Sequence, residues 1–178
     1  MLNITTIIMQ TALSRGLTKE AAALITAQAV HESGNFTSHN FKVNNNLYGI
    51  TVAHTRPAPY QAGAGQKQPD GNANYAKYNN VSDSVNDLID LLKYDRININ
   101  AVKTPQQYAS ALKAKGYFGD SVANYAAGLA RNFKTFAIAA ITPAPGGMFD
   151  EKKKYSEPSI NNLFFNINRL FSRKKVKK

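Results

Sequence analysis

The sequence contains no cysteine, no tryptophan and only three histidines. Without cysteine, the chain cannot form disulfides, thiolate metal sites or a cysteine nucleophile. The histidines (His31, His39 and His54) and the scattered acids do not show the paired spacing of metal ligands, so we expect neither a metal site nor another cofactor. No stretch approaches the roughly 18 consecutive apolar residues of a membrane-spanning helix. At 178 residues, we expect one domain with a hydrophobic core and a short appendage.

Acidic residues are scarce: 11 Asp and Glu face 22 Lys and Arg, which gives a formal net charge of +11. Residues 150–178 hold nine of the basic residues against three acids. A basic surface attracts anionic polymers and anionic membrane surfaces. We expect no specific nucleic-acid partner, because this segment does not interleave basic and aromatic residues as base-stacking surfaces do.

One predicted helix ends at a carboxylate. Residues 19–32 are helix formers without proline or glycine, Thr18 is a suitable N-cap, and Gly34 follows as a stop signal. Glu32 therefore lies at the C-terminal end of a largely apolar helix. The partial negative charge of that end and the apolar neighbours both disfavour the charged form and raise the pKa of Glu32. A raised pKa is what a general acid working near neutral pH requires.

Four further helices are expected over residues 4–15, 82–96, 104–115 and 120–140. Ser82 is the predicted N-cap of the second of these, and Pro105 opens the third at the first helical position. The last helix should pack against the 18–32 helix. We expect Asp83, Asp87 and Asp90 on the solvent-facing side of the 82–96 helix, opposite its apolar stripe.

The remaining segments of this predicted helical domain, residues 1–141, read as loops. Residues 35–50 are rich in asparagine and predict a loop. Residues 51–74 are rich in Pro, Gly, Gln and Ala, and predict an irregular or short β-hairpin lobe. Their only acid is Asp70, in the turn signal Gln68–Gly71. Asp70 is thus either a turn residue or an assistant in catalysis.

The C-terminal part predicts a linker and a tail helix. Residues 142–147 are rich in proline and glycine, which suits a linker over 142–158. Residues 159–178 place apolar side chains on one helical stripe and end in a basic run. Such a stripe docks on the parent domain or on another protein, such as a virion component; an anionic membrane surface is the alternative.

Four ordered blocks resemble the family 73 glycoside hydrolases, the glucosaminidase domains of bacterial autolysins, flagellar wall hydrolases and phage lysins. The blocks are Ala27–Gly34, Asn45–Ile50, Tyr75–Ser84 and the segment from Tyr108 to Tyr125. The resemblance implies a mainly α, lysozyme-like domain that cleaves peptidoglycan glycan strands between N-acetylglucosamine and N-acetylmuramic acid.

The resemblance also implies roles for individual residues. Glu32 falls on the position of the catalytic acid, and Tyr78 on an aromatic residue that lines the cleft and assists at the sugar. The residues placed in substrate binding are Asn46, which shapes the turn beneath the cleft, Tyr48, Tyr117 and Tyr125.

The chain departs from the family pattern at three places. Asn35-Phe36 stands where the family often has tryptophan, and Thr51 stands where lysine is common. The lobe offers only Asp70 as the second carboxylate that glycosidases generally use. Displacement assisted by the 2-acetamido group of the substrate is therefore favoured over a strict two-acid mechanism.

Three alternatives stay open at the level of sequence. The enzyme could cleave the other glycosidic bond as a muramidase or lytic transglycosylase, the domain could bind glycan without cleaving it, or the tail could disrupt membranes. Action at the cell wall or periplasm is expected. Because residues 2–9 do not resemble a signal peptide, the sequence favours a phage-encoded protein delivered by a virion or through a holin.

Overall fold

Six α-helices and a two-stranded sheet form the part of the chain that the computed structural model describes, residues 3–69 and 71–141. The chain divides into two units, Met1–Pro143 and Ala144–Lys178, and all described residues lie in the first. The predicted linker over 142–158 and tail helix over 159–178 therefore lie outside the described residues. In chain order the elements are α1 (Ile4–Ser14), α2 (Lys19–Glu32), α3 (His39–Asn44), β1 (Gly63–Lys67), β2 (Asn74–Lys77), α4 (Val81–Tyr94), a 3₁₀ turn (Ile99–Ala101), α5 (Pro105–Ala114) and α6 (Val122–Ile141).

Helix α2 is the centre of the core. Its ten residues from Ala21 to Val30 are all buried, and α1 and α6 pack against it. Alanine at many of these positions lets neighbouring helices approach from several sides, while each fully buried Leu24 or Ile25 side chain contributes about 1.5–3 kcal/mol. The Thr18 hydroxyl accepts a hydrogen bond from the Ala21 amide, as an N-cap does. The predicted cap, helix and α2–α6 packing are confirmed.

Helices α2 and α6 cross closely near the end of α2. A Cβ atom at Gly128 of α6 would lie 2.5 Å from Cε1 of the His31 ring. Glycine inside a helix costs about 1 kcal/mol relative to alanine, and here it allows α6 to reach the turn of α2 that carries His31 and Glu32.

The N-cap of helix α4 lies two residues earlier than expected. Its N-cap is Asn80, whose side chain accepts a hydrogen bond from the Asp83 amide. The prediction of Ser82 as the cap is wrong, because Ser82 already lies in the first helical turn and shares a 3.1 Å hydrogen bond with the Thr11 hydroxyl of α1. The Ser82 hydroxyl therefore helps to join α4 to α1.

The prediction that Asp87 faces solvent is also wrong. Its side chain is fully buried, and the Arg56 guanidinium binds both carboxylate oxygens at 2.8 and 2.9 Å. Arg56 comes from the lobe and covers this side of α4. Asp90 is partly exposed and pairs with Arg15, the C-cap residue of α1, at 2.5 Å.

The lobe is a β-hairpin, as predicted. Strands β1 and β2 are antiparallel, with a register irregularity between Ala64 and Lys67. The connecting turn is closed by the Gly71 amide, which donates to the Gln68 carbonyl at 2.9 Å; Gly71 has a φ of +73°, which favours glycine. Asp70 itself lies outside the described residues.

Two short elements were not expected. Helix α3 interrupts the predicted 35–50 loop: Ser38 caps it, and Asn45 ends it with a φ of +52°. The 3₁₀ turn Ile99–Ala101 follows α4. None of the helices in the described ranges is long and apolar enough to cross a bilayer.

Candidate active site

A groove of about 780 Å³ opens beside the C-terminal end of α2. This volume lies in the range of ordinary ligand sites, roughly 300–1,000 Å³. The lining combines the α2 end, the segment before the hairpin, the hairpin itself, the α4 end and the loop before α6. These residues are Glu32, Tyr48–Arg56, Gln68, Ala73, Tyr75, Leu91, Tyr94, Asp95, Tyr117 and Phe118.

Glu32 is the last residue of α2 and lines this groove. Its Oε1 atom accepts a hydrogen bond from the Tyr125 hydroxyl at 2.5 Å. Burial raises the pKa of Glu32, and the hydrogen bond from Tyr125 and the charge of His31 oppose that rise without cancelling it. Glu32 therefore keeps its proton to a higher pH than an ordinary glutamic acid and can donate it to a bound group.

Tyr125 is held in place by rings on two sides. The Phe118 ring stacks on it at 3.8 Å with an interplanar angle of 6°, and His31 meets it edge-on at 5.2 Å. The Lys113 ammonium group fixes the loop that carries Phe118 by donating to the carbonyls of Phe118, Gly119 and Asp120 at 3.2, 2.8 and 2.9 Å. The position of the Tyr125 hydroxyl on Glu32 is thus determined by packing.

Asn46 lies below the groove floor. Its amide donates to the carbonyls of Ile50 and Ala76, both at 2.8 Å, and its Oδ1 accepts from the amides of Tyr48 and Ile50. All of these partners are backbone groups, so Asn46 shapes the turn and ties it to β2. It is not among the described residues that line the groove.

Tyr48 and Tyr117 both line the groove and contact each other. The Tyr117 hydroxyl donates to the Tyr48 carbonyl at 2.8 Å. Burial raises the pKa of both phenols, so they remain neutral. Tyr48 is 1% exposed, and therefore forms part of the floor.

Tyr78 does not line the groove with these residues. Its hydroxyl donates to Asp87 at 2.7 Å, beside the Arg56 ion pair. Tyr75 of β2 lines the groove in its place. Successive side chains of an extended segment point to opposite faces, so residues 75 and 78 cannot face the same way. The structure thus brings together Glu32, Tyr48, Tyr117 and Tyr125, and leaves Tyr78 apart.

The chain matches the family model described as glucosaminidase, mannosyl-glycoprotein endo-beta-N-acetylglucosaminidase, over residues 13–138. It belongs to this family. The matched segment contains all the elements that form the groove. The chain is therefore a glycoside hydrolase of the glucosaminidase type.

Two solved structures have a similar fold to this glucosaminidase domain. One is a type VI secretion system effector–immunity complex from Pseudomonas protegens, with 20% identity and a TM-score of 0.55, covering 75% of this chain and 88% of the other. The second is the catalytic domain of the autolysin Auto from Listeria monocytogenes, with 22% identity and a TM-score of 0.55, covering 77% and 82%. A search of curated proteins finds no significant match.

Several groove residues of the glucosaminidase domain escaped sequence reasoning. Tyr94 is 53% exposed, and its hydroxyl donates to the Thr55 carbonyl at 3.3 Å. Asp95 follows it at the α4 C-cap, and Glu32 and Asp95 are the carboxylates among the described lining residues. The sequence signal that could have identified Tyr94 is its position on α4, where a large aromatic side chain lies outside the apolar stripe. No group of three or more His, Asp or Glu within residues 3–69 and 71–141 could hold a metal ion.

Proposed function

We propose that this glucosaminidase cleaves the β-1,4 bond between N-acetylglucosamine and N-acetylmuramic acid, with Glu32 as the general acid. Glu32 protonates the glycosidic oxygen as the bond to the anomeric carbon breaks. One observation supports this role: Glu32, a carboxyl group whose pKa is raised by burial, lines a groove of sugar-binding size.

Aromatic side chains along the groove suit a glycan. Tyr75, Tyr94 and Phe118 join Tyr48 and Tyr117 in its lining, and aromatic rings bury large apolar areas against the flat faces of a ligand. In this proposal Tyr75 takes the place in the cleft that the family resemblance implied for Tyr78. Tyr78 supports the hairpin from behind through Asp87.

Hydrolysis of purified sacculi tests the proposal against a purely glycan-binding role. We expect the full-length protein to clear a sacculus-containing gel and to release soluble muropeptides. Binding to sacculi without any release would contradict the enzymatic assignment.

The second chemical group is proposed to come from the substrate. Its 2-acetamido oxygen would attack the anomeric carbon from the face opposite the leaving group, after which water completes the hydrolysis. The protein candidates for a two-acid mechanism are Asp70 and Asp95. We therefore expect Asp70→Asn and Asp95→Asn each to lower kcat less than tenfold on sacculi, far less than a change at Glu32. A near-total loss in either variant, equal to that of Glu32→Gln, would instead identify that aspartate as the second catalytic carboxylate.

Tyr94 is predicted to bind a sugar away from the reacting bond. Its ring is exposed on α4, whereas the contacts of Glu32 come from α6 and α2. Tyr94→Ala should raise KM for soluble uncross-linked glycan strands about tenfold, or about 1.4 kcal/mol, with little change in kcat. Tyr94→Phe keeps the ring and loses only the hydrogen bond to Thr55, so its KM should stay within about twofold of the wild type. Equal effects of the two changes would show that the ring does not bind sugar.

The wall is the place of action that follows from the substrate. Phage origin, delivery by a virion or a holin, and a protein or membrane partner for residues 159–178 stay predictions from the sequence. Leakage from anionic liposomes, measured with the full-length protein and with residues 148–178 deleted, separates a membrane partner from a protein partner. Only a membrane-binding tail should cause leakage that the deletion removes.

A further inference from the structure

A buried chain of hydrogen bonds ends at the catalytic candidate Glu32. The Tyr108 hydroxyl of α5 donates to Gln28 Oε1 at 2.6 Å, Gln28 Nε2 donates to the Tyr125 hydroxyl oxygen at 3.4 Å, and the Tyr125 hydroxyl donates to Glu32 Oε1 at 2.5 Å. Gln28 and Tyr108 are fully buried, and Tyr125 is 5% exposed. Gln28 lies one helical turn before Glu32, on the same face of α2.

The donor and acceptor chemistry of Gln28 gives this chain a direction. An amide oxygen can only accept and an amide nitrogen can only donate. The Tyr125 oxygen therefore accepts a hydrogen bond from Gln28 Nε2, and the Tyr125 hydroxyl must direct its own hydrogen toward Glu32. With the opposite amide orientation, the Tyr125 hydroxyl would donate to Gln28 Oε1. The acidic hydrogen of Glu32 would then be engaged in a hydrogen bond to the Tyr125 oxygen.

We propose that Gln28 is a positioning residue that makes Tyr125 a donor to Oε1 of Glu32 and so leaves the transferable proton on Oε2. The role proposed here rests on the proposed function of Glu32 as the general acid. The structure places no hydrogen-bond partner on Oε2 within residues 3–69 and 71–141, so a proton on Oε2 is available to the glycosidic oxygen. When it has been transferred, Tyr125 already donates to the new carboxylate, so no hydroxyl has to turn during the reaction.

The same chain of hydrogen bonds also affects the pKa of Glu32. Donation from Tyr125 lowers the pKa of Glu32 against the larger effect of burial. The other titratable groups around Glu32 come from α2, α5, α6, the loop before α6 and the turn above Asn46; they are His31, Tyr108, Tyr125, Tyr117 and Tyr48. The phenols all have a raised pKa and stay neutral in the working range. Removing the Gln28 amide frees Tyr125 to turn away, which should raise the pKa of Glu32 further.

Gln28→Met tests this role, because methionine has a similar volume and carries no amide. The carboxyl carbon of Glu32 can be titrated by NMR in protein labelled with ¹³C-glutamate and assigned by its loss in Glu32→Gln. We expect Gln28→Met to move the titration midpoint upward by roughly 0.5–1 pH unit. The basic limb of the pH–rate profile on sacculi should move in the same direction, and kcat should fall about tenfold.

A double-mutant cycle separates this effect from simple loosening of the core. Tyr125→Phe alone should also raise the midpoint, and Gln28→Met should add nothing once the Tyr125 hydroxyl is absent. Independent, additive shifts, or an unchanged midpoint in Gln28→Met, would overturn the proposal. If Gln28→Met does not fold, Gln28→Met combined with Tyr108→Phe removes the hydroxyl left without an acceptor and permits the same titration. The two proposals fail separately. Absence of hydrolase activity in the wild type would refute the proposed function, whereas the NMR titration does not need activity and would still show whether Gln28 orients the Tyr125 hydroxyl toward Glu32.

Discussion

Glu32→Gln is expected to lower the rate of muropeptide release from sacculi by about 10²- to 10⁴-fold, the usual contribution of a general acid. Glutamine has the same shape, and its amide oxygen can still accept the hydrogen bond from Tyr125. It cannot supply a proton to the leaving oxygen. The loss should therefore fall on kcat, while binding to sacculi stays close to that of the wild type.

Glu20→Gln is the matched control for this change. Glu20 is an exposed glutamate in the first turn of the same helix, so the substitution is chemically identical and lies away from the groove. Its activity should stay within about twofold of the wild type. Residual activity above about a tenth in Glu32→Gln would contradict the assigned role.

Asp87→Ala is expected to destabilise the domain by about 3–5 kcal/mol, because it leaves the Arg56 guanidinium buried without its partner. The Arg56 side chain is 6% exposed and the Asp87 side chain 0%. Tyr78 and Gln61 also donate to this carboxylate, at 2.7 and 3.0 Å, and both would lose an acceptor. Urea unfolding followed by circular dichroism measures the change.

Asp83→Ala on the same helix controls for the loss of an aspartate. Asp83 is partly exposed, and its carboxylate accepts a hydrogen bond from the side-chain amide of Asn80 at the N-terminal end of α4. We expect a cost of no more than about 1 kcal/mol, from weaker capping and the helix dipole. Similar costs for the two substitutions would mean that the buried ion pair does not hold the hairpin lobe to α4.

Rules that depend only on neighbouring residues were sufficient to predict most of the helices and the position of Glu32. The cap at Thr18, the helix formers that follow it and the stop at Gly34 depend on neighbours in sequence, and they place Glu32 at the end of α2. Pro105 marked the first turn of α5 in the same way. The hairpin could be expected because its turn residues carry their own signal.

Features that depend on distant partners were missed. The burial of Asp87 requires Arg56 from the lobe, 31 residues away in the chain. A single aromatic block did not reveal which of Tyr75 and Tyr78 faces the groove, since that depends on where β2 ends. Helix α3 has only six residues and too little periodicity to be recognised. The chain of hydrogen bonds through Gln28 joins α2, α5 and α6, and only the packed fold brings these helices together.

The reducing ends of the muropeptides released from purified sacculi test the central claim most directly. After borohydride reduction, mass spectrometry distinguishes N-acetylglucosamine ends from N-acetylmuramic acid ends and from 1,6-anhydro products. We predict reduced N-acetylglucosamine ends with the wild type and none with Glu32→Gln. Products ending in N-acetylmuramic acid or its anhydro form, or release that persists in Glu32→Gln, would contradict a glucosaminidase that works through Glu32.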